Sequence, residues 1–149
     1  MVYVIDTSVW SRALRRQKQP NEDSAAAILI RRLVVDNEEI VTPGIVFQEL
    51  LSGLRAEREF ERLTKALDPF VVVLATKEHH LLAARLFNIC KAHGLNVGPA
   101  DVLIAATAIR CGGTLVTSDS DFRRMTEHVE LDLLFVEPSL EADTGAASP

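Results

Sequence analysis

Short β-branched runs and longer helical repeats take turns along the chain. Val2-Tyr-Val-Ile5 has the pattern of a buried strand ending on Asp6, with a helix expected directly after it. Asp23 or Ser24 can cap a helix over 25–35, where Ile28, Leu29, Leu33 and Val35 give an apolar stripe beside Arg31 and Arg32. Residues 39–42 read as a second strand. Thr42-Pro43 reads as an N-cap followed by proline at the first helical position, which starts a helix over 44–54. Another amphipathic helix covers 55–67, Asp68-Pro69 ends it, and 70–74 is a third strand. Thr76 caps a helix through Lys91, with Leu81, Leu82, Leu86 and Ile89 at helical spacing and Gly94 closing it. Gly98-Pro99 opens a helix over 100–110 that is apolar almost throughout except at Asp101, so it must be buried, and Gly112-Gly113 stops it. Strands at 114–117 and 133–136 flank a turn and short helical piece at 118–125. Strands separated by helices require parallel crossovers, which predicts an α/β sandwich: a central parallel sheet of about four or five strands with helices on both faces.

Composition narrows the class. The 149 residues are 48% hydrophobic and 25% charged, a globular balance. The pattern suits one folded unit over 1–138, followed by a small, polar, acidic tail over 139–149 that is expected to be disordered. No apolar run approaches a bilayer span, and the start of the chain lacks the basic region and apolar length of a signal peptide, so no membrane association and a cytoplasmic location are expected. Cys90 and Cys111 have no CxxC or Cys/His spacing and read as small core residues. A formal net charge of −5 gives no whole-molecule positive field to draw in nucleic acid. The sum alone counts against a nuclease; the positions of the acids change that.

Open α/β sheets place ligands at the carboxyl ends of their strands. Asp6 ends the first strand, Asp119 and Asp121 follow Thr-Leu-Val-Thr117, Asp101 lies in the first turn of the apolar helix, and Glu49 lies in the second turn of a helix entered from strand two. Singly, each has an ordinary explanation. Asp6 suits a helix N-cap, Asp101 a partner for its helix dipole, and S-D-S-D is good turn chemistry. Glu49 is flanked by Val46, Phe47, Leu50 and Leu51, which places it on a largely buried surface. Together they put four or five carboxylates on one rim with no matching group of Lys or Arg in the same segments, roughly several kcal/mol of repulsion if desolvated. A divalent cation relieves it. Carboxylate and water ligands favour Mg²⁺ or Mn²⁺ over zinc, and His79, His80, His93 and His128 read as solvated.

The segments DTSVW at 6–10, FQELLSG at 47–53, GPADVLIAATA at 98–108 and LVTSDSDF at 115–122 resemble the four signature regions of the PIN-domain ribonucleases, in particular the VapC toxins of VapBC toxin–antitoxin pairs. The resemblance runs from Met1 to about Pro138 and implies a PIN-like three-layer sandwich. It puts the family's acidic quartet on Asp6, Glu49, Asp101 and Asp119, with Asp121 as a fifth member. Thr117 matches the polar residue beside the last acids, and Ser8 a small polar position near the metal.

What the resemblance implies is hydrolysis of RNA phosphodiesters with Mg²⁺ or Mn²⁺, toxin action on translation and growth, a VapB-type antitoxin partner, homodimerisation and a toxin–antitoxin hetero-oligomer. Metal on Asp6, Asp101, Asp119 and Asp121 would activate a water, with Glu49 and Asp121 able to orient it and Ser8 or Thr117 to hold a carboxylate. Arg12, Arg15, Arg16 and Lys18 are the basic candidates for RNA phosphate, although a basic run is also an ordinary solvated face. The helix at 31–35 and the region 44–67 offer apolar surface for an antitoxin helix. The rival from another class is a regulatory module that binds metal in the acidic pocket without catalysis. Haloacid-dehalogenase phosphatases would need DxDxT where this chain has Asp6-Thr7-Ser8, and receiver domains a second acid beside the first strand.

Overall fold

Five short strands form one parallel sheet in the structure, a computed structural model that describes residues 1–15 and 24–138. They are β1 (Val2–Ile5), β2 (Glu39–Pro43), β3 (Val71–Val73), β4 (Thr114–Thr117) and β5 (Leu133–Phe135). The helices are α1 (Thr7–Ala13), α2 (Ala25–Val35), α3 (Gly44–Leu51), α4 (Glu57–Leu67), α5 (Lys77–Ala92), α6 (Pro99–Arg110) and α7 (Ser120–Met125). The predicted tail at 139–149 lies outside the described residues.

The strand order is β3-β2-β1-β4-β5, and β1 pairs with β2 through Val4 opposite Val41 and with β4 through Val4 opposite Leu115. The chain therefore winds outward from β1 to β3, then crosses back to β4 on the other side. Right-handed crossovers in opposite directions put helices on opposite faces, giving the three-layer sandwich. The same reversal opens a crevice between the carboxyl ends of β1 and β4. Helix α6 covers β1 and β4, while α1 packs against α2 and α3. Gly113 makes the close approach into β4 possible: a Cβ there would lie 2.9 Å from the Val2 carbonyl oxygen.

The centre of the core is filled by Trp10, Phe122, Ile5, Leu67, Leu115 and Met125. Trp10 stacks obliquely on Phe70, ring centroids 4.9 Å apart, and its indole N–H donates to the Thr42 hydroxyl at 3.1 Å. The third helix starts at Gly44 as expected, but its capping residue is not Thr42. Thr42 stays in β2, Pro43 takes the N-cap position and α3 begins at Gly44, because a buried indole N–H needs an acceptor more than an accessible helix end does. The helix stops at Leu51 instead of residue 54, with the Ser52 hydroxyl turned back onto the Gln48 carbonyl at 2.7 Å.

Two apolar stripes are rotated from their expected phase. Helix α2 buries Ala26, Ile30 and Leu33 and leaves Ile28, Val34 and Val35 exposed. Helix α5 buries His79, Ala83, Leu86 and Cys90 and exposes Leu81 and Ile89. His79 is thus a core residue and not a solvated one. Its Nδ1 accepts the Thr76 backbone N–H at 3.0 Å and lies 2.8 Å from the Thr76 hydroxyl, and burial pushes the imidazole's pKa down. Cys90 is buried, Cys111 is half-buried, and both are free thiols. No helix among the described residues is long and apolar enough to cross a membrane.

The Trp10–Thr42 bond gives a stability test. Thr42→Val leaves the indole N–H buried without an acceptor, and urea denaturation is expected to show a loss of about 1–3 kcal/mol. Adding Trp10→Phe, which removes the donor as well, should cost less than the two single changes summed, because they share one bond.

Candidate active site

Asp6 sits where β1 stops being a strand. Its backbone N–H still donates to the Val116 carbonyl of β4 at 3.0 Å, while its own carbonyl accepts the N–H groups of Val9 and Trp10 that start α1. The side chain does not cap that helix. It turns into the β1–β4 crevice, buried, where the hydroxyls of Ser8 and Thr117 both donate to one oxygen, Oδ2, at 2.8 and 2.7 Å. Each hydroxyl in turn accepts a backbone N–H: Ser118 to Ser8 Oγ and Asp119 to Thr117 Oγ1, both at 3.0 Å. Both hydroxyl protons are thereby committed to Asp6, so the 3.4 Å approach of Ser8 Oγ to Thr117 Oγ1 is a contact between acceptors.

The electrostatics follow from this placement. Burial pushes the Asp6 carboxyl above the usual aspartate range. The hydroxyls of Thr117 and Ser8 and the Thr7 backbone pull it back, and the charge of Asp119 adds to the rise. Asp119, half-buried, also caps α7 by accepting the Asp121 backbone N–H on Oδ1 at 2.9 Å. One chain of hydrogen bonds thus runs Asp6–Thr117–Asp119–Asp121.

The other expected residues are arranged more loosely. Asp101 accepts the Gly98 N–H at 2.9 Å at the head of α6, a helix that runs away from the carboxyl edge of the sheet. Glu49 is exposed and not buried: α3 turns Val46, Leu50 and Leu51 inward, and the Glu49 carboxylate accepts the Thr7 hydroxyl at 3.1 Å. Asp121 is paired with Arg124 one turn along α7, so a base does offset an acid in this segment. Arg12 is half-buried and Arg15 exposed, while Arg16 and Lys18 lie outside the described residues. Thr7 and Arg124 carry roles that no sequence motif marked; the i,i+3 spacing of Asp121 and Arg124 was the available signal for the second.

Among the described residues no group of three or more His, Cys, Asp or Glu is close enough together to hold a metal ion. The donor set still suits one kind of site. Mg²⁺ keeps several of its waters and is commonly held by one or two carboxylates, which the Asp6–Asp119 pair can supply.

The PIN-domain family profile matches residues 3–128. This chain belongs to the PIN-domain family. The PIN domain is 32% identical over 116 residues to Ribonuclease VapC19 of Mycobacterium tuberculosis, covering 78% of this chain and 87% of that protein. Its fold is similar to that of a chain of VapBC2 from Rickettsia felis, in the crystal structure bound to a DNA fragment from their promoter. There the TM-score is 0.75 at 23% identity, over 92% of this chain and 100% of that one. FitAcB from Neisseria gonorrhoeae is similar too, with a TM-score of 0.70 at 23% identity over 91% of this chain and 97% of that one.

Asp6 makes this PIN domain's stability depend on pH in a testable direction. A carboxyl whose folded pKa is raised holds its proton better in the native state, so metal-free stability falls as pH rises from the ordinary aspartate range through the folded value. Asp6→Asn keeps an acceptor for both hydroxyls and removes the charge. In EDTA the variant should melt higher than the wild type at about pH 7, and the difference should vanish in acid, as read by thermal melts.

Proposed function

We propose that this PIN domain is a divalent-metal-dependent endoribonuclease that hydrolyses RNA phosphodiester bonds and acts in the cytoplasm as the toxin of a toxin–antitoxin pair. The observation that carries the reading is Asp6: a carboxylate buried at the β1–β4 switch point, held by two hydroxyls and sharing its crevice with Asp119. Among the described residues it has no cationic hydrogen-bond partner, and a buried carboxylate is costly unless something charged completes it. The named activity of the Mycobacterium tuberculosis relative supports RNA as the substrate.

Mg²⁺ or Mn²⁺ on Asp6 and Asp119, with Asp101 as the further carboxylate, would supply Lewis acidity at a phosphoryl oxygen and a water of lowered pKa. Ser8 and Thr117 hold the Asp6 carboxylate in the crevice, and their hydroxyl protons oppose the rise in its pKa that burial causes. Asp101 is oriented by the Gly98 N–H at the head of a buried helix. Glu49, exposed and accepting the Thr7 hydroxyl, would take a proton from the attacking water at the rim. Arg12, Arg15, Arg16 and Lys18 follow the Asp6 segment and are suited to RNA phosphate. The partner is a VapB-type antitoxin, for which exposed Ile28, Val34 and Val35 on α2 offer apolar surface. A homodimer and a toxin–antitoxin hetero-oligomer complete the assembly.

Labelled RNA incubated with the purified protein tests the reading. Cleavage should need Mg²⁺ or Mn²⁺ and stop in EDTA, and Asp6→Asn or Asp101→Asn should abolish it with the fold intact by circular dichroism. Ser8→Ala and Thr117→Val should lower metal affinity or activity by about 10- to 100-fold. Wild-type cleavage rates in either aspartate variant would sink the assignment. A melting temperature that rises with Mg²⁺, with no RNA cut, would favour a metal-binding regulatory module instead.

A further inference from the structure

A polar cleft of about 340 Å³ is lined by Gly94, Leu95, Asn96 and Val97 on one wall and by Asp121 and Arg124 on the other. The first wall is the turn after α5, where Gly94 takes φ +74° and the Leu95 N–H returns to the Cys90 carbonyl at 2.9 Å. The second wall is α7. The two are pinned together by His93 and His128, whose rings stack with centroids 4.0 Å apart and 21° between planes. Asp121 joins the cleft to Asp6 through the hydrogen bonds of Asp119 and Thr117.

Two arginines lie side by side on α7 and are used differently. Arg123 donates to Glu137 at 2.9 Å and lies flat over the Phe135 ring, 3.4 Å from its centroid, so it ties the helix to β5. Arg124 faces the cleft, is mostly exposed, and spends one NH2 group on Asp121. A guanidinium carries five donors in a rigid fork, so one edge can stay on a carboxylate while another takes a phosphate. An exposed i,i+3 ion pair adds little to stability, so the pair needs another reason to sit at this mouth.

We propose that Asp121 and Arg124 form a phosphate-positioning pair: Asp121 orients Arg124, and Arg124 binds a backbone phosphate of RNA whose scissile bond lies at Asp6 and Asp119. On this assignment Asp121 is a holder of the arginine and not a metal ligand. Asn96 and the turn at 94–97 face the adjoining nucleotide across the cleft. The inference rests on the ribonuclease reading and adds to it a substrate contact outside Arg12, Arg15, Arg16 and Lys18.

The test measures binding of a fluorescein-labelled single-stranded RNA by anisotropy in EDTA, over a series of salt concentrations, for the full chain. Arg124→Gln should weaken binding about fivefold to tenfold at low salt and make the log–log salt slope shallower by about one. Arg124→Lys should keep the slope and recover part of the affinity, since it restores the charge but not the fork. Arg58→Gln, the same charge change on α4 in the crossover to the other sheet edge, should leave both unchanged. The Mg²⁺-induced rise in melting temperature should persist in Asp121→Asn and be lost in Asp6→Asn. Unchanged affinity and slope in Arg124→Gln, with the wild type binding and cutting RNA, would overturn this inference alone. Loss of the Mg²⁺ response in Asp121→Asn would overturn it in favour of a ligand role. A wild-type chain that neither binds nor cuts RNA would overturn the ribonuclease reading along with it.

Discussion

A carboxylate taken out of water at the end of the central strand governs how the surrounding structure is built. Among the described residues Asp6 has no basic hydrogen-bond partner; its Oδ2 is held by two hydroxyls, each polarised by a backbone N–H from the segment after β4. The Ser118 N–H reaches Ser8, and the Thr117 hydroxyl reaches Asp6, only if β1 and β4 are neighbours in register, as the pairing of Ile5 with Val116 ensures. The strand order and the charge state of one side chain are thus parts of the same arrangement. Burial raises the pKa of Asp6 and the hydroxyls oppose that rise, so ionising this carboxyl comes at the expense of metal-free stability.

Five consecutive residues tie this site to the core. Asp6 turns into the crevice, Thr7 holds Glu49, Ser8 holds Asp6, and Val9 and Trp10 are fully buried. A helix that starts immediately after the strand is what lets adjacent residues serve both ends. Trp10 then carries the constraint across to β2 through Thr42, the residue whose expected capping role is given up for it. Movement of α1 would disturb the indole bond and the Asp6 hydroxyl bond together, which gives the site the rigidity of the core beneath it.

Element type and position were legible from the sequence wherever strong local signals agreed. The β-branched run 2–5, the capped helix 25–35 and the glycine-bounded strand 114–117 all appear at the expected residues. Phase was harder to read. In α2 and α5 apolar residues occupy more than one face, so Ile28 and Val35 fit a helical stripe as well as Ala26 and Ile30 do, and only the neighbours α1 and α6 select between them. The rim acids were identifiable as residues but not as contacts. The apolar residues beside Glu49 suggested burial, yet in a helix adjacent residues point in different directions, and Leu50 goes inward while Glu49 goes out. His79 shows the converse error: polar neighbours in sequence concealed a side chain that the helix turns into the core.

The formal charge of −5 can now be read by location. Glu137 pairs with Arg123 and Asp121 with Arg124, whereas Asp6 and Asp119 meet in the crevice as like charges. The distribution also suits the helix itself. Helix α7 starts with Asp119 and Asp121 and ends with Arg123 and Arg124, which places acids at the positive end of its dipole and bases at the negative end. Charge order that stabilises a short helix therefore builds a polarity along it, with an anionic head in the crevice and a cationic flank on the adjoining cleft. In the ribonuclease reading the head wants a divalent ion and the flank wants a phosphate, and an RNA backbone held by both would lie along α7 with its scissile phosphate at the head. Divalent charge at Asp6 and Asp119 would then reverse the local sign where the acids are densest, removing the repulsion that the whole-chain sum suggested.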